Sequence, residues 1–195
     1  MSENQFPVRT SGNTPYKILG VDPGTNILGY AILEVTGRSL RLIDFGVFRL
    51  AHHEDHHIKL KEIYLQLQEI IESYLPEVLA IEAPFYGKNV QSMLKLGRAQ
   101  GVAMAAAITM GLEITEYAPK KIKQSITGNG NASKEQVAAL LESILKIKID
   151  AAHLDATDAL AAAVTHFNQN AGLLKGSKKH SGWSSFIKEH PDRIK

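Results

Sequence analysis

The chain has 195 residues, of which 44% are hydrophobic and 22% charged, as expected for one soluble globular domain. It contains no cysteine, so disulfide scaffolds and thiolate zinc sites are excluded. No apolar run approaches the roughly 18 residues that a membrane-spanning helix needs. The N-terminal residues are polar and lack the apolar stretch of a secretory signal peptide, so a cytoplasmic protein is expected.

The net charge is only +2, but the charges are unevenly distributed. Residues 171–195 carry six basic and two acidic residues, which gives this segment a net charge of +4. Residues 83–112 contain three basic residues, including Lys88, and no acidic one. Residues 117–134 contain four lysines and no acidic residue. These stretches are either ordinary solvated surface or positions that follow a phosphate backbone.

Three strands are predicted at the start of the chain. Residues 17–21 form a short apolar strand that leads into the turn Asp22-Pro23-Gly24-Thr25. Residues 27–35 and 40–50 form two further strands with Gly37 between them. Short connections of this kind predict an antiparallel meander.

Two long helices and two short strands are predicted next. Apolar residues recur at spacings of three and four over 58–75, and a second helix is predicted over 90–110. Residues 78–82 and 112–117 are short apolar strands. The small residues Gly97, Gly101 and Ala105 fall on one face of the second helix. They would allow another backbone to approach closely, either from the protein's own sheet or from a second subunit.

Two helices complete the predicted order. Ser133-Lys134-Glu135-Gln136 fits a capping box, so a helix is expected from there to about residue 146. Asp150 is the expected N-cap of the last helix, which continues to about residue 168. The order β-β-β-α-β-α-β-α-α predicts an α/β fold with helices on both faces of a five-stranded mixed sheet. The domain spans 17–170, between a flexible extension over 1–16 and a basic, disordered tail over 171–195.

Four acidic residues occupy positions suited to catalysis. Asp22 ends the first predicted strand and Glu82 ends the fourth, so neighbouring parallel strands would bring them together at one edge of the sheet. Asp155 and Asp158 are three residues apart, which predicts that both project from one face of the last helix. We expect that helix to bring its two aspartates to the same edge.

Clustered carboxylates predict a site for divalent cations. Two unit charges about 4 Å apart repel by roughly 4 kcal/mol at an effective dielectric near 20, and a divalent cation removes this repulsion. Oxygen ligands favour magnesium or manganese over zinc. Two such ions suit attack on a phosphodiester, because one activates water and the other stabilises the leaving 3′ oxygen.

Each acidic residue also has a structural explanation. Asp-Pro-Gly is a common turn, and an acid at a strand end, such as Glu82, is usually solvated. Asp155 would be favoured by the dipole of a helix N-terminus. Asp158 precedes an apolar segment and must therefore lie near buried surface.

A histidine-rich segment offers an apparent second metal site. The segment 52–57 contains four histidines around Glu54 and Asp55. It is a polar connection between a strand and a helix and has no fixed ligand geometry. We therefore expect a solvated loop.

Four motifs, taken in order, resemble those of the RuvC family of Holliday-junction resolvases. They are Ile-Leu-Gly-Val-Asp-Pro-Gly-Thr at 18–25, Ala-Ile-Glu-Ala-Pro-Phe at 80–85, Lys-Leu-Gly-Arg-Ala-Gln-Gly at 95–101 and Asp-Ala-Thr-Asp-Ala-Leu-Ala at 155–161. The resemblance runs from about residue 17 to residue 166. The first motif alone is weak, because sugar kinases and actin-like ATPases open similarly.

The resemblance implies an RNase H-like fold and a homodimer. It also implies Mg²⁺-dependent nicking of two strands of a four-way DNA junction in recombination and repair, with Mn²⁺ as a substitute. The implied partner is a branch-migration motor complex of RuvA and RuvB. The metal site is assigned to Asp22, Glu82, Asp155 and Asp158, although some relatives carry histidine at the position of Asp155.

The resemblance also implies residues that contact DNA. Phe85 matches a position thought to probe the junction, and an aromatic ring there would stack on a base, although a buried core Phe is the alternative. Lys123 and Lys134 match basic positions linked to DNA contact, and Lys88 belongs to the same loop as Phe85. The role of Tyr86 stays open.

Two other functions remain as alternatives. A phosphotransferase of the actin-like or sugar-kinase type would use the Asp-Pro-Gly-Thr loop, although that fold usually needs two domains of this size. A DNA-binding module without catalysis is the other, although all four acidic residues are present.

Overall fold

The structure is a computed structural model that describes residues 14–84 and 89–171. One five-stranded sheet has the strand order β3-β2-β1-β4-β5. Its strands are β1 (Tyr16–Asp22), β2 (Ile27–Thr36), β3 (Ser39–Arg49), β4 (Val78–Glu82) and β5 (Glu113–Tyr117). The first three form an antiparallel meander, and β4 pairs in parallel with both β1 and β5. The predicted mixed sheet is confirmed.

Within the described residues, five α-helices pack against this sheet. They are α1 (His56–Tyr74), α2 (Val90–Thr109), α3 (Pro119–Thr127), α4 (Lys134–Leu145) and α5 (Thr157–Asn170). The capping box predicted at Ser133 is present, with the hydroxyl accepting from Gln136 N–H and the Gln136 side chain accepting from Ser133 N–H.

The short helix α3 was not predicted from the sequence. It has nine residues and buries only Ile122 and Ile126. Pro119 begins it and Gly128 ends it in the left-handed region, with φ 76°. Two buried residues in a lysine-rich segment are too weak a periodic signal to indicate a helix without the tertiary contacts that stabilise it.

The helices cover both faces of the sheet, as predicted. Buried residues of α1 and α2, such as Ile63 and Ala103, share one core cluster with Leu19 and Ile81 of the sheet. The helices α3, α4 and α5 pack on the opposite face around Leu160. Both central strands are therefore buried on two sides.

Close packing of α5 on β1 depends on a glycine. A Cβ atom on Gly20 would lie 2.1 Å from the carbonyl oxygen of Ala159 and 2.9 Å from Cβ of Ala163. Only a residue without a side chain permits this approach. The approach brings the N-terminal turn of α5 close to the end of β1.

The last helix begins later than predicted. Residues Ala151–Ala156 form a 3₁₀ helix, and α5 starts at Thr157. Asp150 therefore stands at the N-cap of the 3₁₀ helix, where its side chain makes no capping bond, and is not the cap of α5. Asp155 lies in the 3₁₀ helix and Asp158 in α5, so the prediction that both belong to a single α-helix is wrong.

The small-residue face of α2 does not contact the protein's own sheet. Gly97 and Gly101 are exposed, and a Cβ atom on either would meet no atom within 4 Å. Leu94 and Ile108 on the same helix are 52% and 62% exposed. Of the two partners considered for this face, the protein's own sheet is excluded.

Residues 1–13, 85–88 and 172–195 lie outside the described residues. The predictions about their flexibility, and about Phe85, Tyr86 and Lys88, therefore remain predictions. Within the described ranges, no helix is long and apolar enough to cross a membrane.

Candidate active site

Two acidic residues meet at the carboxyl ends of the central parallel strands. Val21 of β1 pairs with Ile81 of β4, so Asp22 and Glu82 are the next residues of two adjacent strands. Both side chains are partly buried. The parallel pairing thus places them as predicted, next to each other at one edge of the sheet.

A third acidic residue joins them from α5. Asp158 lies in the first turn of that helix, which packs on β1 and β4. Asp22, Glu82 and Asp158 line one cavity of about 260 Å³. Lys123 and Lys134 also line it, and its remaining lining is largely apolar, from α3, α4 and α5.

Asp155 lies at the margin of this group. It is exposed and does not line the cavity. A Cβ atom on Gly29 would lie 2.7 Å from the Asp155 carbonyl oxygen, and Gly29 is the β2 partner of Asp22. Its negative charge contributes to the raised pKa of Asp22. Asp155 is therefore close enough to influence the site, but it is not among the cavity's walls.

The cavity holds more negative charge than its surroundings neutralise. Burial, and then the charges of Asp158 and Asp155, raise the pKa of Asp22 to about 7 against the lowering effect of Lys134. Burial and the charges of Asp22 and Asp158 raise the pKa of Glu82 to about 8. Such shifts indicate carboxylates that favour either a proton or another cation.

Lys134 supplies a cation to this group. Its Nζ atom donates a hydrogen bond of 2.5 Å to Oδ2 of Asp158. The bond raises the pKa of Lys134, and its positive charge lowers the pKa values of Asp22 and Glu82. Lys123 lowers the pKa of Glu82 as well. Both predicted DNA-contact lysines of the described chain therefore lie at the carboxylate cavity.

The donor set suits a hard divalent cation. All the acidic ligands are oxygen donors, and a lysine ammonium already stands against Asp158. Across the described ranges, no three histidine or acidic side chains are grouped closely enough to enclose a metal ion as they stand. The oxygen donors of this cavity are the side chains of Asp22, Glu82 and Asp158, and the Lys134 ammonium group occupies one oxygen of Asp158.

The side chains of the histidine-rich segment are not grouped closely enough, within the described chain, to hold a metal ion as they stand. Asp55 is the N-cap of α1, accepting from the His57 N–H, so His56 and His57 begin that helix. The imidazole rings of His52 and His53 contact each other at 3.9 Å between centroids. Two of its four histidines therefore belong to the start of a helix and not to a loop.

The sheet order and the acidic residues at the carboxyl ends of β1 and β4 define an RNase H-like α/β domain. The chain belongs to the RuvC family, because the family model described as Crossover junction endodeoxyribonuclease RuvC matches residues 18–166. The family resemblance inferred from the four motifs is confirmed.

Several curated relatives with that same description are similar over most of the chain. The protein of Cytophaga hutchinsonii is 59% identical over 178 residues, covering 91% of this chain and 88% of the relative. That of Bacteroides fragilis is 55% identical over 180 residues, covering 91% and 95%. Among solved structures, Thermus thermophilus RuvC has a TM-score of 0.71 at 31% identity, covering 80% of this chain and 96% of that one. The same protein in complex with a Holliday junction substrate has a TM-score of 0.70 at 28% identity.

Proposed function

We propose that the protein is a structure-specific endodeoxyribonuclease that resolves four-way DNA junctions by symmetric nicking during recombination and repair. One observation carries this proposal: in a chain of the RuvC family, three carboxylates and two lysines line one cavity at the edge of the central sheet. The Thermus relative, solved with a Holliday junction substrate, supports the same substrate for this chain.

The proposed cofactor is Mg²⁺, with Mn²⁺ as a substitute and two ions per active site. Asp22, Glu82 and Asp158 would hold the metal, and Asp155 would complete the set from its position beside Gly29. A bound divalent ion would supply an activated water and neutralise charge at the scissile phosphate. The raised pKa values of Asp22 and Glu82 support a site that takes up a cation.

The lysines of the cavity have separate proposed roles. Lys134 neutralises Asp158 in the absence of metal, and its 75% exposed side chain is free to turn towards a phosphate. Lys123 lies on α3 and also lines the cavity, where its charge would help to bind the DNA strand. Phe85 and Lys88, which follow Glu82 in the sequence, are proposed to contact the junction.

A homodimer is the proposed assembly, with the exposed face of α2 as its contact. Leu94, Gly97, Gly101 and Ile108 present apolar and small groups to open space. Two active sites related by a two-fold axis would suit a four-way junction, which has matching symmetry. RuvA and RuvB are the proposed partners, and the cytoplasm the proposed location, because family membership implies both.

A DNA-binding module without catalysis is the competing function. Such a module would use the same fold and the same basic residues as the nuclease, but its carboxylates would catalyse no cleavage. A gel assay of a synthetic four-way junction, with and without Mg²⁺, separates the two functions. Paired nicks that require Mg²⁺ support the nuclease, and binding without nicks supports the module. The phosphotransferase alternative is set aside, because the family model covers nearly all of the folded domain.

A further inference from the structure

A second polar cavity, of about 250 Å³, adjoins the turn that follows Asp22. Thr25 and Asn26 of the β1–β2 turn form one of its walls. The first turns of α1 contribute His56 and Lys59, and α2 contributes Lys95. None of these residues lines the carboxylate cavity, so the two cavities are separate.

The positive charges of this cavity are not neutralised by ion pairs. Across the described residues, neither Lys59 nor Lys95 forms a salt bridge. The Lys59 ammonium instead donates to the uncharged Asn26 Oδ1 at 2.9 Å. Glu54 is the acidic residue of the lining, and it leaves the lining with an excess of positive charge.

His56 adds an unsatisfied polar atom. Its Nε2 atom is buried and has no hydrogen-bond partner within the described chain. A buried polar atom without a partner is destabilising, so a ligand oxygen that reached Nε2 would be favoured. Burial lowers the pKa of His56, and nearby positive charges lower it further, those of Arg98, Lys95, His57 and Lys59.

The first turns of two helices border the cavity, because His56 is the first residue of α1 and Ser92 is the third residue of α2. N-cap side chains already engage these helix starts, since the His57 N–H donates to Asp55 and the Ser92 N–H donates to Asn89. The net positive charge of the two lysines is therefore the feature of this cavity that favours an anion.

We propose that this cavity binds a phosphodiester of the DNA strand that passes the active site, and the proposal rests on the proposed function. Thr25 follows Asp22 by three residues, so a fully extended chain would separate their Cα atoms by at most about 11 Å. The two cavities are therefore close enough for one DNA strand to contact both. A phosphate a few nucleotides from the cleaved bond would thus fix the register of the strand in the active site.

The test is the salt dependence of junction binding, measured on the full chain with EDTA present. The test variant is Lys59→Gln/Lys95→Gln. Lys95→Gln alone is also measured, because Lys95 makes no hydrogen bond within the described residues whose loss could affect folding. The control is Lys61→Gln/Lys148→Gln, which removes the same charge at two exposed positions outside the cavity. Fluorescence anisotropy with a labelled four-way junction gives the affinity at several salt concentrations.

In the double variant, we expect the magnitude of the negative slope of log affinity against log salt concentration to decrease by about 1, as for one lost phosphate contact. The control variant should keep the wild-type slope. The single variant should show part of this change. A wild-type slope in the double variant would overturn the proposal and leave the nuclease function standing. Wild-type protein that fails to bind the junction at all would overturn both.

Discussion

Lys134 and Asp158 form an ion pair inside the carboxylate cavity, with 2.5 Å between Nζ and Oδ2. The lysine belongs to the first turn of α4, and the aspartate to the first turn of α5. Because Asp158 is also a proposed metal ligand, the ammonium group and a metal ion would compete for one carboxylate. Without a bound metal ion, the Lys134 ammonium group is thus the cation that pairs with Asp158.

Removal of that cation should strengthen metal binding. An exposed ion pair contributes about 0.2–1 kcal/mol, so Lys134→Gln should bind Mn²⁺ about 1.4- to fivefold more tightly in the absence of DNA. Isothermal titration calorimetry measures this affinity directly. Lys123→Gln is the matched control, because Lys123 lines the cavity without an ion pair, and its effect should be smaller. An unchanged or weaker affinity in Lys134→Gln would exclude the competition.

Neutralising the carboxylates should separate cleavage from binding. Asp22→Asn, Glu82→Gln and Asp158→Asn should each reduce junction cleavage by about a thousandfold or more, because metal-assisted charge stabilisation is worth several kcal/mol. Junction binding in EDTA should persist, since each change removes a negative charge near the DNA. Glu113→Gln, at an exposed position of β5, is the control and should cleave normally. Cleavage by any of the three variants at the wild-type rate would remove that residue from the site.

The raised pKa values predict how the stability of the metal-free protein depends on pH. The pKa of Asp22 rises from 3.8 to about 7, and that of Glu82 from 4.5 to about 8, so folding favours their protonated forms. Their contribution to stability is complete below the unfolded pKa values and is lost as the pH rises through about 7 and then 8.

Denaturation in EDTA between pH 5 and pH 9 measures this loss, and saturating Mg²⁺ should reduce it. The comparison is Asp22→Asn/Glu82→Gln, whose stability should vary less with pH than that of the wild type. At pH 8 the double variant should melt several degrees higher, because the raised pKa values of the two carboxyl groups together imply a loss of more than about 1 kcal/mol at that pH. If the stability of the wild type and of the double variant changed with pH in the same way, these two carboxyl groups would not be the source of the pH dependence.

The packing of α5 against β1 predicts a destabilising substitution. Gly20→Ala places a Cβ atom 2.1 Å from the Ala159 carbonyl oxygen, so the helix must move away from the strand. Overpacking of this kind costs about 1–3 kcal/mol. Urea denaturation should show the loss, and the shift of α5 should also weaken Mn²⁺ binding through Asp158. Full stability in Gly20→Ala would contradict the close packing of α5 on β1.

The exposed face of α2 predicts a monomeric variant. Gly101→Leu adds a side chain where no atom lies within 4 Å, so the folded monomer should be no less stable. The leucine would block close approach of a second α2, and sedimentation velocity should therefore show a monomer. Ala139→Leu, at an exposed position of α4, is the control and should remain dimeric. A dimer in Gly101→Leu would place the subunit contact elsewhere.

Much of the fold could be predicted because its signals are local. The parallel strands ending in Asp22 and Glu82 are short apolar runs, and the capping box at Ser133 is a four-residue pattern. These signals need no knowledge of the rest of the chain. The adjacency of the two carboxylates followed from strand topology alone.

The remaining features depend on tertiary contacts. The helix α3 is stabilised by burying Ile122 and Ile126, which a local pattern of two residues does not reveal. The ion pair between Lys134 and Asp158 joins residues 24 apart on different helices. The 3₁₀ helix before α5 separates Asp155 from Asp158 and could not be distinguished from an early start of that helix.

The most direct test of the nuclease function compares a synthetic four-way junction with a linear duplex of the same sequence, each with and without Mg²⁺. The wild-type protein should introduce paired, symmetric nicks in the junction only, and only with Mg²⁺. Denaturing gels with each strand labelled in turn would locate the nicks. Junction binding without any nick, on several junction sequences and with either Mg²⁺ or Mn²⁺, would contradict the account.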